Sequence, residues 1–149
     1  MKSIIILIAF ALGFIIAQGI KTIIFLFSNR NEKNAIKDVI LYSFKSGGMP
    51  SGHSASLASA ITVIGFTEGF NTSIFAFSLC VFAIVVYDAI NVRYAVGEQG
   101  KALSSIIKNH NLKASPVKIV EGHTIPQVIF GTILGIIIGL AVSKIAGFC

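Results

Sequence analysis

The sequence predicts an all-α fold: a polytopic membrane helical bundle of about four transmembrane helices joined by short interfacial helices. The first observation is composition, since 54% of the 149 residues are hydrophobic and 12% are charged, whereas soluble domains carry about 25% charged residues. The second is the recurrence of apolar runs near the roughly 20 residues that cross a bilayer. Because no Pro/Ser-rich linker divides the chain, we expect residues 1–149 to form one membrane-embedded domain.

The first predicted span runs from Ile4 to Phe27 and carries Gln18 and Lys21 toward its end. It is longer than the h-region of a secretory signal, about 7–15 residues, and no small-residue cleavage site follows it. We therefore expect it to remain as a transmembrane helix. Gln18 and Lys21 are expected to face the bundle or to snorkel toward its edge.

The second predicted span, from about Ser51 to Phe66, is the most polar of the four. Its serine and threonine residues suit tight helix packing within lipid. The third span runs from Ser73 to Ile90, and the fourth from about Thr124 to Ile145.

Small residues recur every four positions in two of the spans. They are Ala9, Gly13 and Ala17 in the first span, and Gly131, Gly135 and Gly139 in the fourth. This spacing places small side chains on one helix face and predicts close approach between helices, although glycine is also common in membrane helices generally. The same faces are candidates for contact between copies in a homo-oligomer.

The net charge of +6 is carried mainly by the loops that precede the second and fourth spans. By the positive-inside rule, these two loops face the cytoplasm and both termini lie outside. The basic residues fall between apolar runs rather than on one soluble face, so they fit interfacial loops or bound phosphate. We expect no nucleic-acid partner.

Two further segments predict short amphipathic helices at the membrane surface. In the third loop, apolar residues recur at helical spacing; they are Ala102, Leu103, Ile106 and Ile107. The segment from Lys33 to Phe44 has a similar pattern. Cys80 lies within an apolar run and Cys149 is the last residue, so no disulfide framework is expected.

Three polar segments border the apolar runs. They are "GGMPSGH" at 47–53, "YDAINVR" at 87–93 and "EGHTIPQ" at 121–127. Entering an even-numbered span and leaving an odd-numbered one happen on the same side of the membrane. We therefore expect His53, Asp88, Arg93 and His123 to meet at one face, which the charge bias predicts to be cytoplasmic.

The first of these segments predicts an anion site. Pro50 suits the first turn of a helix, and the next N–H groups have no intrahelical acceptor and lie at the positive end of the helix dipole. Glycine lets an oxyanion approach the backbone closely, and arginine offers a planar fork to phosphate oxygens. The predicted substrate-binding residues are Lys45, Gly48, Ser51, Gly52, Arg93 and Gln127.

Two histidines beside this site predict phosphoryl transfer, with Asp88 as a third catalytic candidate. One neutral imidazole attacks phosphorus, while a second, protonated imidazole gives its proton to the departing oxygen. Cationic side chains and helix N-termini can stabilise the developing charge, so we expect no metal or other cofactor. Two alternatives are a metal site formed by His53, His123 and Asp88 and a structural ion pair between Asp88 and Arg93.

The segments "GGMPSGHSA", "VVYDAINVR" and "GHTIPQVIFG" resemble the type-2 phosphatidic acid phosphatase superfamily, which includes the vanadium haloperoxidases, and specifically its short, divergent membrane branch. The resemblance covers roughly Lys45 to Gly131. It implies that Ser51 and Gly52 bind phosphate, that His53 is the general acid and that His123 is the nucleophile.

The chain departs from the superfamily pattern at three places. Gln127 stands where an Asp usually orients the nucleophile, so an uncharged oxygen takes that role unless Asp88 or Glu121 substitutes. Val117 stands where an Arg is expected, and Arg93 is the substitute. Lys45 is the nearby candidate for the lysine of the first superfamily motif. These departures bear on catalysis more than on the fold.

The predicted function is a metal-independent membrane phosphatase that hydrolyses a lipid or isoprenoid phosphate or diphosphate through a phosphohistidine. The alternative is a non-catalytic membrane protein that binds an anionic lipid headgroup or transports a phosphorylated solute, and the absent Asp favours it. A third alternative is a scaffold with a vestigial motif.

Overall fold

A computed structural model describes residues 1–28, 48–113, 115, 117 and 122–148. These residues form five α-helices and no strand, which confirms the all-α fold class. The helices are α1 (Lys2–Ser28), α2 (Gly52–Glu68), α3 (Ser73–Tyr87), α4 (Arg93–Asn109) and α5 (Ile125–Ile145). A π-helical turn, Asp88–Val92, joins α3 to α4 without a break.

Three helical segments are long and apolar enough to cross a membrane: Lys2–Ser28, Ser73–Asn109 and Ile125–Ile145. The predicted second span, now α2, does not qualify by these measures. It has 17 residues, about 25 Å of helix, and its hydroxyl residues dilute its apolar character. The chain is an integral membrane protein. Helix α2 lies inside the bundle that the three apolar segments form.

Helix α2 lies at the centre and packs against α1, α3 and α5. Lys2 Nζ donates to the Thr67 carbonyl at 2.7 Å, whereas Lys21 lies at the other end against Gly48, so α1 and α2 are antiparallel. The beginnings of α2 and α5 and the end of α1 therefore meet at one end of the bundle. Lys2 and the end of α5 lie at the opposite end.

The small-residue faces pack against α2, as the spacing predicts. A Cβ added at Gly13 would lie 2.6 Å from Ser59 Oγ, and one added at Gly139 would lie 2.5 Å from Thr62 Cβ. Because both faces are covered within one chain, they are not free to join copies. A homo-oligomer would have to use another surface.

Most hydroxyl groups inside α2 donate to backbone carbonyls. Ser59 Oγ donates to the Ala9 carbonyl of α1 at 2.7 Å, and Thr62 Oγ1 donates to the Ala58 carbonyl at 2.8 Å. An unsatisfied polar group in lipid costs several kcal/mol, so these bonds explain how a helix this polar occupies the middle of an apolar bundle.

The amphipathic segment in the third loop is helical, as the spacing predicts, and forms part of α4. The π-helical turn continues α3 directly into α4, so the helix that contains the predicted third span extends beyond Ile90. Leu103 and Ile106 on α4 are each 50% exposed. The segment from Lys33 to Phe44 lies outside the described residues.

The packing between α2 and α5 predicts a stability effect. A Cβ at Gly135 would lie 2.8 Å from the Ala58 methyl group, so Gly135→Ala is expected to destabilise the bundle by about 1–3 kcal/mol, the usual cost of overpacking. A Cβ at Gly19 meets nothing within 4 Å, which makes Gly19→Ala the matched control. Thermal unfolding in detergent measures both, and an equal midpoint for the two variants would contradict the packing argument.

Candidate functional site

Two histidines from separate segments lie side by side where α2 and α5 begin. His53 is the second residue of α2, and His123 precedes α5. Their ring centroids are 6.4 Å apart, and the ring planes are inclined at 65°. His53 is exposed, whereas His123 is 7% exposed.

The backbone at His123 is hydrogen-bonded to the π-helical turn. The His123 N–H donates to the Ala89 carbonyl at 3.0 Å. The adjacent Gly122 packs against the backbone of Arg93 and Tyr94, and an added Cβ would lie 2.7 Å from the Arg93 carbonyl carbon. A glycine is therefore required here, because any side chain would push this segment away from the turn that carries Asp88 and Arg93.

Gln127 orients the His123 ring. Its Oε1 lies 3.2 Å from His123 Nδ1 and accepts a bond from the Thr124 N–H at 3.1 Å. The amide oxygen is an acceptor, so the neutral imidazole carries its proton on Nδ1, a tautomer assigned from this network. Nε2 is left with a lone pair. Gln127, predicted as a substrate-binding residue, thus contacts His123 and Thr124.

The surroundings of His123 favour its neutral form. Burial lowers the pKa of His123, the hydrogen bond with Gln127 raises it, and the positive charges of His53, Lys21 and Arg93 lower it further; the net shift is downward. A neutral imidazole is the form that can attack an electrophile.

Ser51 caps α2, and its own N–H is already used. That N–H donates to the Gln127 carbonyl at 3.0 Å, so it is not the anion donor that the sequence predicts. Ser51 Oγ accepts from the Ser54 N–H at 3.4 Å and from Ser54 Oγ at 3.1 Å. The N–H groups of Gly52 and His53 remain without an intrahelical acceptor.

The sequence predicts that Pro50 lies in the first helical turn. Pro50 instead precedes the Ser51 cap and lies outside the helix. Gly48 has φ of +81°, a conformation that favours glycine. A Cβ there would also lie 2.7 Å from Lys21 Cε. Gly52 differs, because an added Cβ would make ordinary contacts with Phe14 at 3.5 Å.

Lys21 belongs to this cluster although the sequence analysis did not include it among the site residues. It lies on α1 and is 5% exposed, with its stem against Gly48. A lysine inside an apolar run is costly and usually functional, and this signal was available in the sequence. The contact between Lys21 and Gly48 could not be predicted, because the two residues lie far apart along the chain.

Asp88 and Arg93 form an ion pair across the π-helical turn, with Arg93 Nε 2.6 Å from Asp88 Oδ2. Both side chains are partly exposed. In the described part of the chain, Asp88 bonds to Arg93 and to neither histidine, which agrees with the ion-pair alternative. The terminal amino groups of Arg93 retain donors for an anion.

The described residues contain no group of three or more His, Cys, Asp or Glu side chains that could hold a metal ion. The proposed ligand set of His53, His123 and Asp88 is therefore not assembled as such. Lys45 and Glu121 lie outside the described residues, and their predicted roles stay predictions.

Comparison with known proteins identifies the family of the chain. Residues 2–138 match the model of a family described as "Divergent PAP2 family". A relative from Bacillus subtilis (strain 168), named "Uncharacterized membrane protein YuiD", is 29% identical over 113 residues, which cover 66% of this chain and 72% of that protein. No solved structure gives a significant match. Since the family model spans most of its length, the chain belongs to the Divergent PAP2 family.

Proposed function

We propose that this protein is a membrane phosphatase that hydrolyses a lipid or isoprenoid phosphate or diphosphate through a phosphohistidine, without a metal. The observation that carries the proposal is the pair of imidazoles 6.4 Å apart, one of them buried and oriented by Gln127. The charge bias of the loops supports a cytoplasmic position for this face.

In the first step, His123 Nε2 attacks phosphorus, so that an N–P bond forms as the bond from phosphorus to the leaving oxygen breaks. The leaving oxygen is the alcohol oxygen of a monophosphate or the bridging oxygen of a diphosphate. The Nδ1–H of His123 stays bonded to Gln127 Oε1, which keeps the lone pair of Nε2 aimed at the site. His53 donates its proton to the departing alcohol oxygen, since an alkoxide is a poor leaving group.

In the second step, His53 accepts a proton from water as that water attacks phosphorus. The N–P bond breaks, phosphate leaves and His123 returns to its neutral form. Both histidines thus end the cycle as they began it.

The charge on the transferring phosphoryl group needs donors that are already in place. The N–H groups of Gly52 and His53 lie at the positive end of α2, and Lys21 and Arg93 add cationic charge. Lys45 remains a further predicted contact.

Lys21→Met is expected to lower kcat/KM by about 10–100-fold, because a hydrogen bond to a charged group contributes about 1.5–3 kcal/mol. It should also weaken inhibition by inorganic phosphate. Lys2→Met is the matched control, since Lys2 is half exposed and pairs with Glu68 at the opposite end. Equal activity of the two variants would remove Lys21 from the site.

The proposal as a whole is tested by a phosphate-release screen with the purified protein over lipid and isoprenoid mono- and diphosphates. Release that vanadate inhibits and chelators do not is the expected result. Release unaffected by the loss of both histidines would defeat the proposal.

Binding or transport without turnover is the second candidate, and Gln127 favours it. An uncharged partner stabilises an imidazolium less than a carboxylate would, so His123 is a weaker nucleophile than with Asp at that position. Saturable binding of lipid phosphates with no release across the screen would support this alternative.

A further inference from the structure

Helix α4 continues beyond the end of the bundle that carries the candidate site. With α3 and the π-helical turn it forms one helical segment of 37 residues, Ser73–Asn109, which is about 55 Å long at 1.5 Å per residue. A bilayer is about 40–45 Å thick including its headgroups, and Ser73 lies at the opposite end of the bundle. We therefore expect the last turns of α4 to reach water, even if the segment is tilted by about 20°.

The inner face of α4 is polar and points toward the candidate site. Gly97 on this face is buried. Tyr94, Glu98 and Lys101 line a polar pocket together with Gln127. Among the described helices, none packs extensively against α4, whose main contacts are with the π-helical turn. The helix is thus held mainly at its base and on its polar side.

The outer face of α4 carries residues spaced by alternating steps of four and three. This outer seam consists of Val92, Val96, Gln99, Leu103, Ile106 and His110. Val92, Leu103 and Ile106 are each 50% exposed, and Val96 is 47% exposed. The alternation of four and three is the pattern of the a and d positions in a coiled coil. A seam this narrow fits one partner helix, whereas a helix that packs on a core presents a broader apolar stripe.

Two features favour a partner helix over a lipid surface as the occupant of the outer seam. Gln99 and His110 lie within the seam, and burying such polar groups among acyl chains without a hydrogen bond is costly. In a parallel pair of helices, Gln99 of each copy faces its equivalent, and an amide group both donates and accepts. The second feature is the length of the segment, which takes the end of the seam beyond the headgroups.

We propose that α4 pairs in parallel with α4 of a second copy of this chain, as a short two-stranded coiled coil along the outer seam. Copies that insert by the same charge bias share one orientation, so their α4 helices leave the membrane on the same side. Arg93, at the base of the helix, is already paired with Asp88. The other positions beside the seam carry no charge that would repel a second copy; they are Ala95, Gly100, Ala102, Ile107 and Asn109.

The outer seam is shorter than the three to four heptads typical of coiled coils, so pairing depends on the membrane. Insertion in one bilayer confines the copies to a plane with a common orientation. This confinement removes part of the translational and rotational freedom that association would otherwise cost. Because the seam faces away from the polar pocket at the candidate site, pairing does not obstruct that site, and the inference does not depend on the proposed function.

Disulfide cross-linking tests the pairing in the full chain. The native cysteines are first removed by Cys80→Ser and Cys149→Ser. Leu103→Cys or Ile106→Cys then places one thiol on the outer seam, and the use of two variants guards against a folding defect in one. Each protein is reconstituted in phosphatidylcholine vesicles at a low protein-to-lipid ratio and oxidised mildly. The covalent dimer is measured by gel electrophoresis without reductant.

Ser105→Cys and Lys108→Cys are the matched controls, because both residues are exposed on the side of α4 opposite the outer seam. A disulfide forms only when the two Cα atoms lie within about 7 Å, so we expect the seam variants to form the dimer about tenfold faster than the controls, or more. No larger species should form. Equal rates on both sides of α4, or no dimer from either seam variant, overturns the inference.

Labelling with a water-soluble maleimide, without oxidant, identifies what covers the seam instead. Seam thiols that resist the reagent in vesicles but form no dimer are covered by lipid. Seam thiols that react as fast as the controls are open to water. Either result refutes pairing between copies, whereas protection together with rapid cross-linking supports it.

Discussion

His123→Ala is expected to lower phosphate release by about 10⁴-fold or more, because it removes the atom that forms the covalent intermediate. The variant should still bind substrate, since the N–H groups at the start of α2, together with Lys21 and Arg93, are unchanged. The reaction of the wild-type protein with a labelled substrate is quenched rapidly and without acid. This treatment should trap an acid-labile, alkali-stable phosphoprotein. The same treatment of the variant should trap none.

His110→Ala is the matched control for this experiment. His110 is exposed at the end of α4, outside the site, and its loss should leave the rate within the error of the assay. A His123→Ala variant that retained a labelled intermediate would show that another residue is the nucleophile.

His53→Ala is expected to slow hydrolysis of alkyl phosphates by about 10²–10⁴-fold, the usual contribution of a general acid. The effect should depend on the leaving group, because para-nitrophenolate departs without a proton. With para-nitrophenyl phosphate, we expect a first turnover close to that of the wild type. It should appear as a burst of one equivalent of nitrophenol, followed by slow turnover, since His53 also activates the water.

Pre-steady-state absorbance measurements distinguish this role from a structural one. A residue needed only for folding would lower the burst amplitude and the rates for both substrates alike. An equal loss for alkyl and aryl esters would therefore contradict the assignment of His53 as the general acid.

Much of the helix packing could be predicted from residue spacing. Glycines at 131, 135 and 139 pack against α2 because four-residue intervals align on one helix face. The alternation of spans also predicts the end of the bundle at which His53 and His123 lie, since each polar segment borders an apolar run. The first inference uses the spacing of small residues along a helix. The second uses the number of membrane spans between two polar segments, and both can be counted in the sequence.

Other features depend on contacts between distant segments. The Ser51 N–H bonds to the Gln127 carbonyl, and Lys21 packs against Gly48; neither pairing leaves a periodic signal. The continuation of α3 into α4 also escaped prediction, because Asp88 and Arg93 suggest a loop. They are instead accommodated by one π-helical turn, in which their side chains pair.

The bond between the Ser51 N–H and the Gln127 carbonyl has a consequence for how the site meets its ligand. It joins the start of α2 to the start of α5, and Gly131 seats the two helices tightly against each other at this point. The N–H groups at the start of α2 and the Gln127 amide of α5 are consequently held in fixed positions relative to each other. For the proposed phosphatase, we therefore expect little reorganisation on phosphate binding, so that selectivity depends on the fit of the ligand.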